Sequence, residues 1–268
     1  MSTTSASSKL WFATLWLLPV TTPPFLPFGQ TVAKPLSIVP VTLALLIVFL
    51  FGSRRTVALF SREALLLYAF CILTIAGFGY FTLTSPSVDE ASLGNFLRGF
   101  LALVVGVIFY LAFRSMNLTD GELRRSEKII LIAMSLSIGV ALLQFVADKY
   151  FSALLPLVTA LNYALVDVAD DWSGRYHGLA YEPSWLASQI TLLMLPLILS
   201  RWVTGQTLGV VRLGLVKIRY ETLFLLIAVI GVILSGSRTA FVSTVVILVV
   251  VLLSSPRIKN RKILTLAD

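Results

Sequence analysis

Apolar runs roughly 15 to 20 residues long, free of ionisable side chains, recur from one end of this chain to the other. Residues 36–51 and 129–146 are two of them. Such a run carries more apolar surface than a small water-soluble fold can cover, yet it matches a lipid hydrocarbon core at about 20 residues per crossing. The composition agrees, with 57% of the 268 residues hydrophobic and 13% charged, about half the charged share of a soluble domain. A water-soluble globular domain is thereby excluded. Eight crossings would use about 160 positions, which leaves little chain for a separate soluble domain.

The apolar pattern predicts spans at 10–28, 36–51, 64–83, 96–113, 129–146, 185–202, 222–234 and 240–254. The expected fold class is therefore all-α, a single polytopic membrane domain of about eight helices over residues 1–268. The first run holds Pro19, Pro23, Pro24 and Pro27, so it reads as a kinked or re-entrant segment. It lacks a small-residue cleavage site and does not read as a signal peptide. With the N-terminus inside, all but five of the 21 Lys and Arg fall on the inner side, the exceptions being Lys34, Arg98, Lys149, Arg175 and Arg238. That asymmetry sets the orientation, with both termini cytoplasmic. Residues 150–166 are apolar enough to resemble a ninth span, but inserting them would carry the basic segments 201–219 and 257–262 outside. Phe151, Leu154, Leu155, Val158, Leu161, Leu165 and Val168 follow helical spacing, and the segment is expected to lie as an amphipathic helix on the outer surface.

A net charge of +8 invites a nucleic-acid reading, but the basic residues form short clusters between apolar runs, without interleaved aromatics. Positive-inside topology accounts for them, and no nucleic acid is expected. The only cysteine, Cys71, lies within an apolar run and the chain has one histidine, so an intrachain disulfide and a Cys/His zinc site are both excluded. The near absence of ionisable residues inside the spans argues against ion-coupled transport; Gln144 and Gln189 are the notable buried amides.

Polar chemistry gathers in the outer segment 147–184, which holds Asp148, Asp167, Asp170, Asp171, Arg175, His177 and Glu182. The aspartates match no calcium loop and read as a solvated acidic turn. Arg175-Tyr176-His177-Gly178-Leu179-Ala180-Tyr181-Glu182-Pro183-Ser184-Trp185 runs directly into the sixth span. Pro183 suits a first helical turn, with Glu182 and Ser184 at the N-terminal end. Trp172, Tyr176, Tyr181 and Trp185 suit an interfacial aromatic belt. Capping and belt roles stand beside a functional reading, in which His177 is a candidate general base near neutral pH. A second polar element, Ser235-Gly236-Ser237-Arg238-Thr239, joins the last two spans. Its glycine permits a tight turn, its hydroxyls and amides can face an anion, and the arginine fork matches phosphate oxygens. Under the expected topology Arg175, Arg238 and the N-termini of the sixth and eighth spans share the outer side, as a phosphate site would require.

These two motifs in a polytopic chain resemble the bacterial O-antigen polymerase and O-antigen ligase superfamily, with the Glu-Pro-Ser form of the first motif nearer to the polysaccharide polymerases. The resemblance covers about residues 175–240. It implies transfer of an undecaprenyl-pyrophosphate-linked glycan to a sugar hydroxyl at the outer face of the bacterial cytoplasmic membrane, with release of the lipid pyrophosphate and no metal or cofactor. It further implies that Arg175 and Arg238 bind the pyrophosphate, with Ser237 beside them. Glu182 and His177 would orient or deprotonate the acceptor, while Tyr176, Tyr181 and Trp185 offer faces to sugar rings. The implied partners are the lipid-linked glycan, membrane lipid and other polysaccharide-assembly membrane proteins. Members carry further spans and a large outer loop after the Ser-Arg motif, so the chain is expected to be the N-terminal portion of such a fold and not to polymerise glycan by itself. The alternatives are a non-catalytic lipid-linked glycan flippase or export component, and a structural membrane subunit.

The charge asymmetry predicts that single cysteines, introduced in a Cys71→Ser background, label from outside at Ser173 and from the cytoplasm at Arg124 and Lys259. Labelling of Ser173 from the cytoplasmic side alone would reverse the orientation.

Overall fold

The computed structural model describes residues 3–21, 23–24, 35–51, 61–84, 90–116, 118–166, 174–213 and 216–254. The chain forms two compact units, Met1–Leu123 and Arg124–Asp268. The first contains α1 (Thr3–Leu17), α2 (Ile38–Phe51), α3 (Arg62–Thr84) and α4 (Glu90–Ser115). The second is built on α5 (Asp120–Lys149), which begins just before the boundary. A 3₁₀ turn (Ser152–Leu154) leads into α6 (Leu155–Leu165), and α7 (Pro183–Gln189) continues through a π turn (Ile190–Met194) into α8 (Leu195–Thr204). A hairpin of β1 (Val210–Leu213) and β2 (Val216–Arg219) follows, then α9 (Tyr220–Ser235) and α10 (Arg238–Ser254).

Among the described residues, four helical stretches are long and apolar enough to cross a membrane: Arg62–Thr84, Ser92–Ser115, Asp120–Lys149 and Pro183–Thr204. Ile38–Leu50, Tyr220–Ser235 and Arg238–Val251 are apolar but shorter, and α9 at 16 residues measures only about 24 Å at 1.5 Å per residue. The first expected span is displaced: α1 starts at Thr3 and ends at Leu17, two residues short of Pro19, while Pro27 lies outside the described residues. The chain also departs from an all-α architecture at β1–β2. Valine and isoleucine supply the strand preference there, in a stretch that its basic residues mark as a connecting loop. Residues 152–165 are helical, as their spacing predicts, but Leu154, Leu155, Leu157, Leu161 and Tyr163 are all exposed, with Val158 and Asn162 buried.

Local sequence sets the helix ends. Thr119 and Glu122 form a reciprocal capping box at the start of α5: the Glu122 amide donates to Thr119 Oγ1 at 3.3 Å and the Thr119 amide to Glu122 Oε2 at 2.9 Å. Gly205 and Gly236 close α8 and α9 in left-handed conformation, where a side chain would be strained. Pro196 has no amide to return to the preceding turn, and the helix widens into its π turn just before it.

In the first unit Val41, Ala44 and Ala112 are fully buried, Trp11 packs against Phe113 and Phe78 stacks on Phe96 at 3.9 Å between centroids. α3 is largely exposed, with Leu66 72% and Leu83 87% accessible; apolar surface on this scale belongs in lipid. In the second unit Leu131, Met134, Ile138 and Ala141 of α5 meet Leu186, Ile190, Met194 and Ile198 of α7–α8 and Ala228 and Val232 of α9. Small residues permit this close approach. A Cβ on Gly231 would lie 2.6 Å from Ile190 Cδ1 and 2.8 Å from Ile138 Cγ1.

Gly231→Ala is therefore expected to lower the detergent-solubilised melting temperature, at a cost of about 1–3 kcal/mol for overpacking. Gly139→Ala, where no atom lies within 4 Å, is the matched control and should leave it unchanged or higher.

Candidate functional site

The segment from Gly174 to Glu182 has little regular structure of its own, so its backbone polar groups must find partners elsewhere. α5 supplies several. Gln144 Oε1 accepts from the amides of His177 and Gly178, both at 3.1 Å, while its Nε2 donates to Gly178 O at 3.3 Å. Seven residues earlier on α5, Ser137 Oγ accepts from the Leu179 amide at 3.1 Å. The segment can settle this closely because Gly178 is left-handed (φ 61°) and has no Cβ; a methyl group there would overlap the Ser137 carbonyl. Four residues beyond Gln144, Asp148 accepts from the Tyr176 hydroxyl at 2.6 Å. Ser137, Gln144 and Asp148 thus act together along α5.

His177 is buried. Its Nδ1 lies 2.7 Å from Ala180 O, and a carbonyl can only accept, so Nδ1 carries the proton and Nε2 is left to accept from Gln144 Nε2 at 3.5 Å. Burial pushes the imidazole below its ordinary pKa, against the opposing effect of the Ala180 carbonyl. Both ring nitrogens are engaged in holding the loop. Tyr176 is buried too, packed edge-on to Phe145 at 5.5 Å between centroids. Burial and the Asp148 carboxylate push its phenol up to about 12, so it stays protonated and donates.

On its other side the segment meets α9. The Tyr176 amide donates to Leu234 O at 3.0 Å and Arg175 Nε to Ser235 O at 3.2 Å, which supplies donors to the C-terminal carbonyls of that helix. Gly236 leaves room for the Arg175 stem: a Cβ there would lie 3.1 Å from Arg175 Cγ. Ser237 then caps α10, its Oγ accepting from the Ala240 amide at 3.4 Å. Arg238, the first residue of α10, is exposed. The two arginine motifs, 60 residues apart between Arg175 and Ser235, therefore meet at one end of the second unit.

Glu182 precedes Pro183 in extended conformation, and its carbonyl accepts from the Trp185 and Leu186 amides. Its carboxylate accepts from Ser184 Oγ at 2.8 Å instead of capping an amide. Tyr181 and Trp185 are half-buried, with their rings 5.6 Å apart. Asp167, Asp170, Asp171 and Trp172 lie outside the described residues. Among the described residues, no three His, Cys, Asp or Glu side chains gather to hold a metal ion. Sequence reasoning marks Gln144 as a buried amide but does not give it a partner; the signal available is its spacing from Ser137 and Asp148 in an otherwise apolar run.

A group held below its unfolded pKa contributes stability above the unfolded value, and that contribution is lost as pH falls toward the folded value. His177, the only histidine in the chain, is lowered when folded, so loss should begin as pH drops through about 6.5. Melting temperatures at pH 7.5 and 5.5 should fall further for the native chain than for His177→Asn, which keeps a donor but does not titrate. Equal falls would exclude protonation of His177 as a cause of acid sensitivity.

Comparison of the chain with protein-family models, with curated proteins and with solved structures gives no match, so its functional reading rests on its residues and their geometry.

Proposed function

We propose that this chain is a membrane glycan-transferring protein of polymerase or ligase type. It crosses the bacterial cytoplasmic membrane about eight times and uses Arg175 and Arg238 to hold the pyrophosphate of a lipid-linked glycan at the outer face. The observation that carries this reading is the Arg175–Ser235 hydrogen bond, which sets one arginine against the turn that presents the other three residues later. A pyrophosphate at that turn would face two guanidinium groups, the Ser237 hydroxyl and the N-terminus of α10, the combination that suits multiple phosphate oxygens.

In the proposed reaction an acceptor sugar hydroxyl attacks the anomeric carbon of the lipid-linked glycan. The bond from that carbon to the pyrophosphate oxygen breaks, and the lipid pyrophosphate leaves with the electron pair. Charge grows on the leaving group, where fixed cationic donors lower the barrier. Glu182 receives the acceptor's proton in this reading, since the nitrogens of His177 are already engaged in the loop. Tyr181 and Trp185 offer aromatic surface to the sugars.

In proteoliposomes supplied with an undecaprenyl-pyrophosphate-linked repeat unit, Arg175→Ala and Arg238→Ala should each reduce transfer or lipid-pyrophosphate binding per folded molecule. Loss of a preorganised donor at such a centre costs about 3–4 kcal/mol of transition-state stabilisation. Arg238→Lys keeps the charge but not the two-pronged fork and should restore part of the loss. Native values in both alanine variants would remove the arginines from the site and the reading with them.

A further inference from the structure

At the end of α5 opposite to Asp148, the second unit carries a separate polar platform. Arg201, buried in the last turn of α8, donates to Glu127 of α5 through Nε at 2.8 Å and also bonds Gln206. Glu221, fully buried in the first turn of α9, accepts from the Leu208 amide and from Thr207 Oγ1 at 3.1 Å. Arg219 donates to the carbonyls of Gly205 and Gln206, each at 3.3 Å. The Tyr220 ring lies over Gly209, where a Cβ would be 2.6 Å from its Cδ2, and the Tyr220 amide bonds Gly209 O. The β1–β2 hairpin is consequently tied to the ends of both α8 and α9.

The antiparallel register sets Arg212 directly opposite Lys217 and Val210 opposite Arg219, while Val211 faces Ile218. Opposite residues of an antiparallel pair share a face, so Arg212 and Lys217 stand side by side. Both are exposed, whereas Val211 and Ile218 are half-buried. Residues 201–220 contain no acid. Like charges placed directly opposite repel one another, and an anion between them removes that penalty. The flanking helix ends carry Trp202 and Tyr220, residue types that sit at headgroup level. Glu127 and Asp148 are separated by about 30 Å along α5, one hydrocarbon thickness.

We infer that the β1–β2 hairpin is a headgroup-binding device that takes the phosphate of an anionic phospholipid between Arg212 and Lys217. The hairpin ends two apolar helices and so stands where headgroups are, and its fixed attachment presents the two cations without a further ordering step. Anchoring at this level gives each basic residue about fivefold in affinity. This inference is independent of the glycan-transfer reading, because none of its residues belongs to the Arg175–Arg238 end.

The full chain, purified in a neutral detergent, is titrated with phosphatidylglycerol, with phosphatidylcholine and with inorganic phosphate while bound lipid is read by native mass spectrometry. Phosphatidylglycerol should bind in preference to phosphatidylcholine, and millimolar phosphate should not displace it. Arg212→Gln/Lys217→Gln should lose about 25-fold in phosphatidylglycerol affinity, and Arg212→Lys should retain most of it. Circular dichroism confirms folding, and the single Gln variants, at about fivefold each, serve if the double variant does not fold. Unchanged phosphatidylglycerol affinity in folded variants would overturn the inference. So would equal binding of phosphatidylcholine, or displacement by phosphate, which would mark a soluble-anion site.

Discussion

Gln144 is the interaction on which the candidate site depends. A loop pressed against apolar helices loses water from its amides, and each buried group left unmet costs about 1–3 kcal/mol. One side-chain oxygen meets two consecutive amides, at His177 and Gly178, and the nitrogen of the same amide group meets the Gly178 carbonyl. An apolar residue of similar size at 144 would leave all three groups without these partners. With the loop held there, the Tyr176 amide reaches Leu234 O and Arg175 reaches Ser235 O. Gln144 thus acts beside Ser137 and Asp148 in fixing the loop to α5, and the loop in turn reaches α9. An amide suits this place better than a carboxylate, because it donates and accepts at once and carries no charge to desolvate.

Two sets of polar contacts fix α5 among the described residues of the second unit. One joins α5 to the loop through Gln144 and Asp148; the other joins α5 to α8 through Glu127 and Arg201 and gathers the hairpin around Glu221. The intervening α5 contributes Leu131, Met134, Ile138 and Ala141 to the core. Apolar packing alone tolerates some sliding of one helix along another, since one leucine surface is much like the next. The two sets remove that freedom: a slip of one turn, about 5.4 Å, would break the bonds at both ends. A partly buried ion pair such as Arg201–Glu127 contributes little net stability against an apolar replacement. Its effect lies in the register it imposes between α5 and α8.

Most of the helical architecture can be read from the chain because apolar runs and helix-end residues are local signals. α3 and α5 fall over the runs 64–83 and 129–146, and Gly236 closes α9 within the motif that marks it as a turn. Span number is less legible, since an apolar run does not declare how many of its residues stay helical: α9 stops at 16 residues. The hairpin is obscured because Arg212, Lys217 and Arg219 make the segment look like a charged connection, while its strand character comes from Val210, Val211, Val216 and Ile218. In the site, Pro183 and Glu182 take the helix-entry positions their types predict, yet the Glu182 carboxylate bonds Ser184. The Gln144 contacts span 33 and 34 residues, and no local pattern encodes a pairing of that range.

The electrostatics of the Ser235–Arg238 turn separate the two arginines. α9 ends there and α10 begins, so the negative end of one helix dipole and the positive end of another have only two residues between them. Arg175 bonds the carbonyl end of α9, where a cation is favoured, and it contributes to the fold whether or not a ligand is present. Arg238 stands at the amide end of α10, where a cation is disfavoured by a few tenths of a kcal/mol to about 1 kcal/mol. Stability of α10 therefore gives no reason for an arginine at that position; serine at 237 already supplies the cap. An anion reverses the balance, because the guanidinium and the amide end of α10 then attract the same group. Arg175 thus combines a structural contact with its proposed binding role, whereas the case for Arg238 rests on the anion.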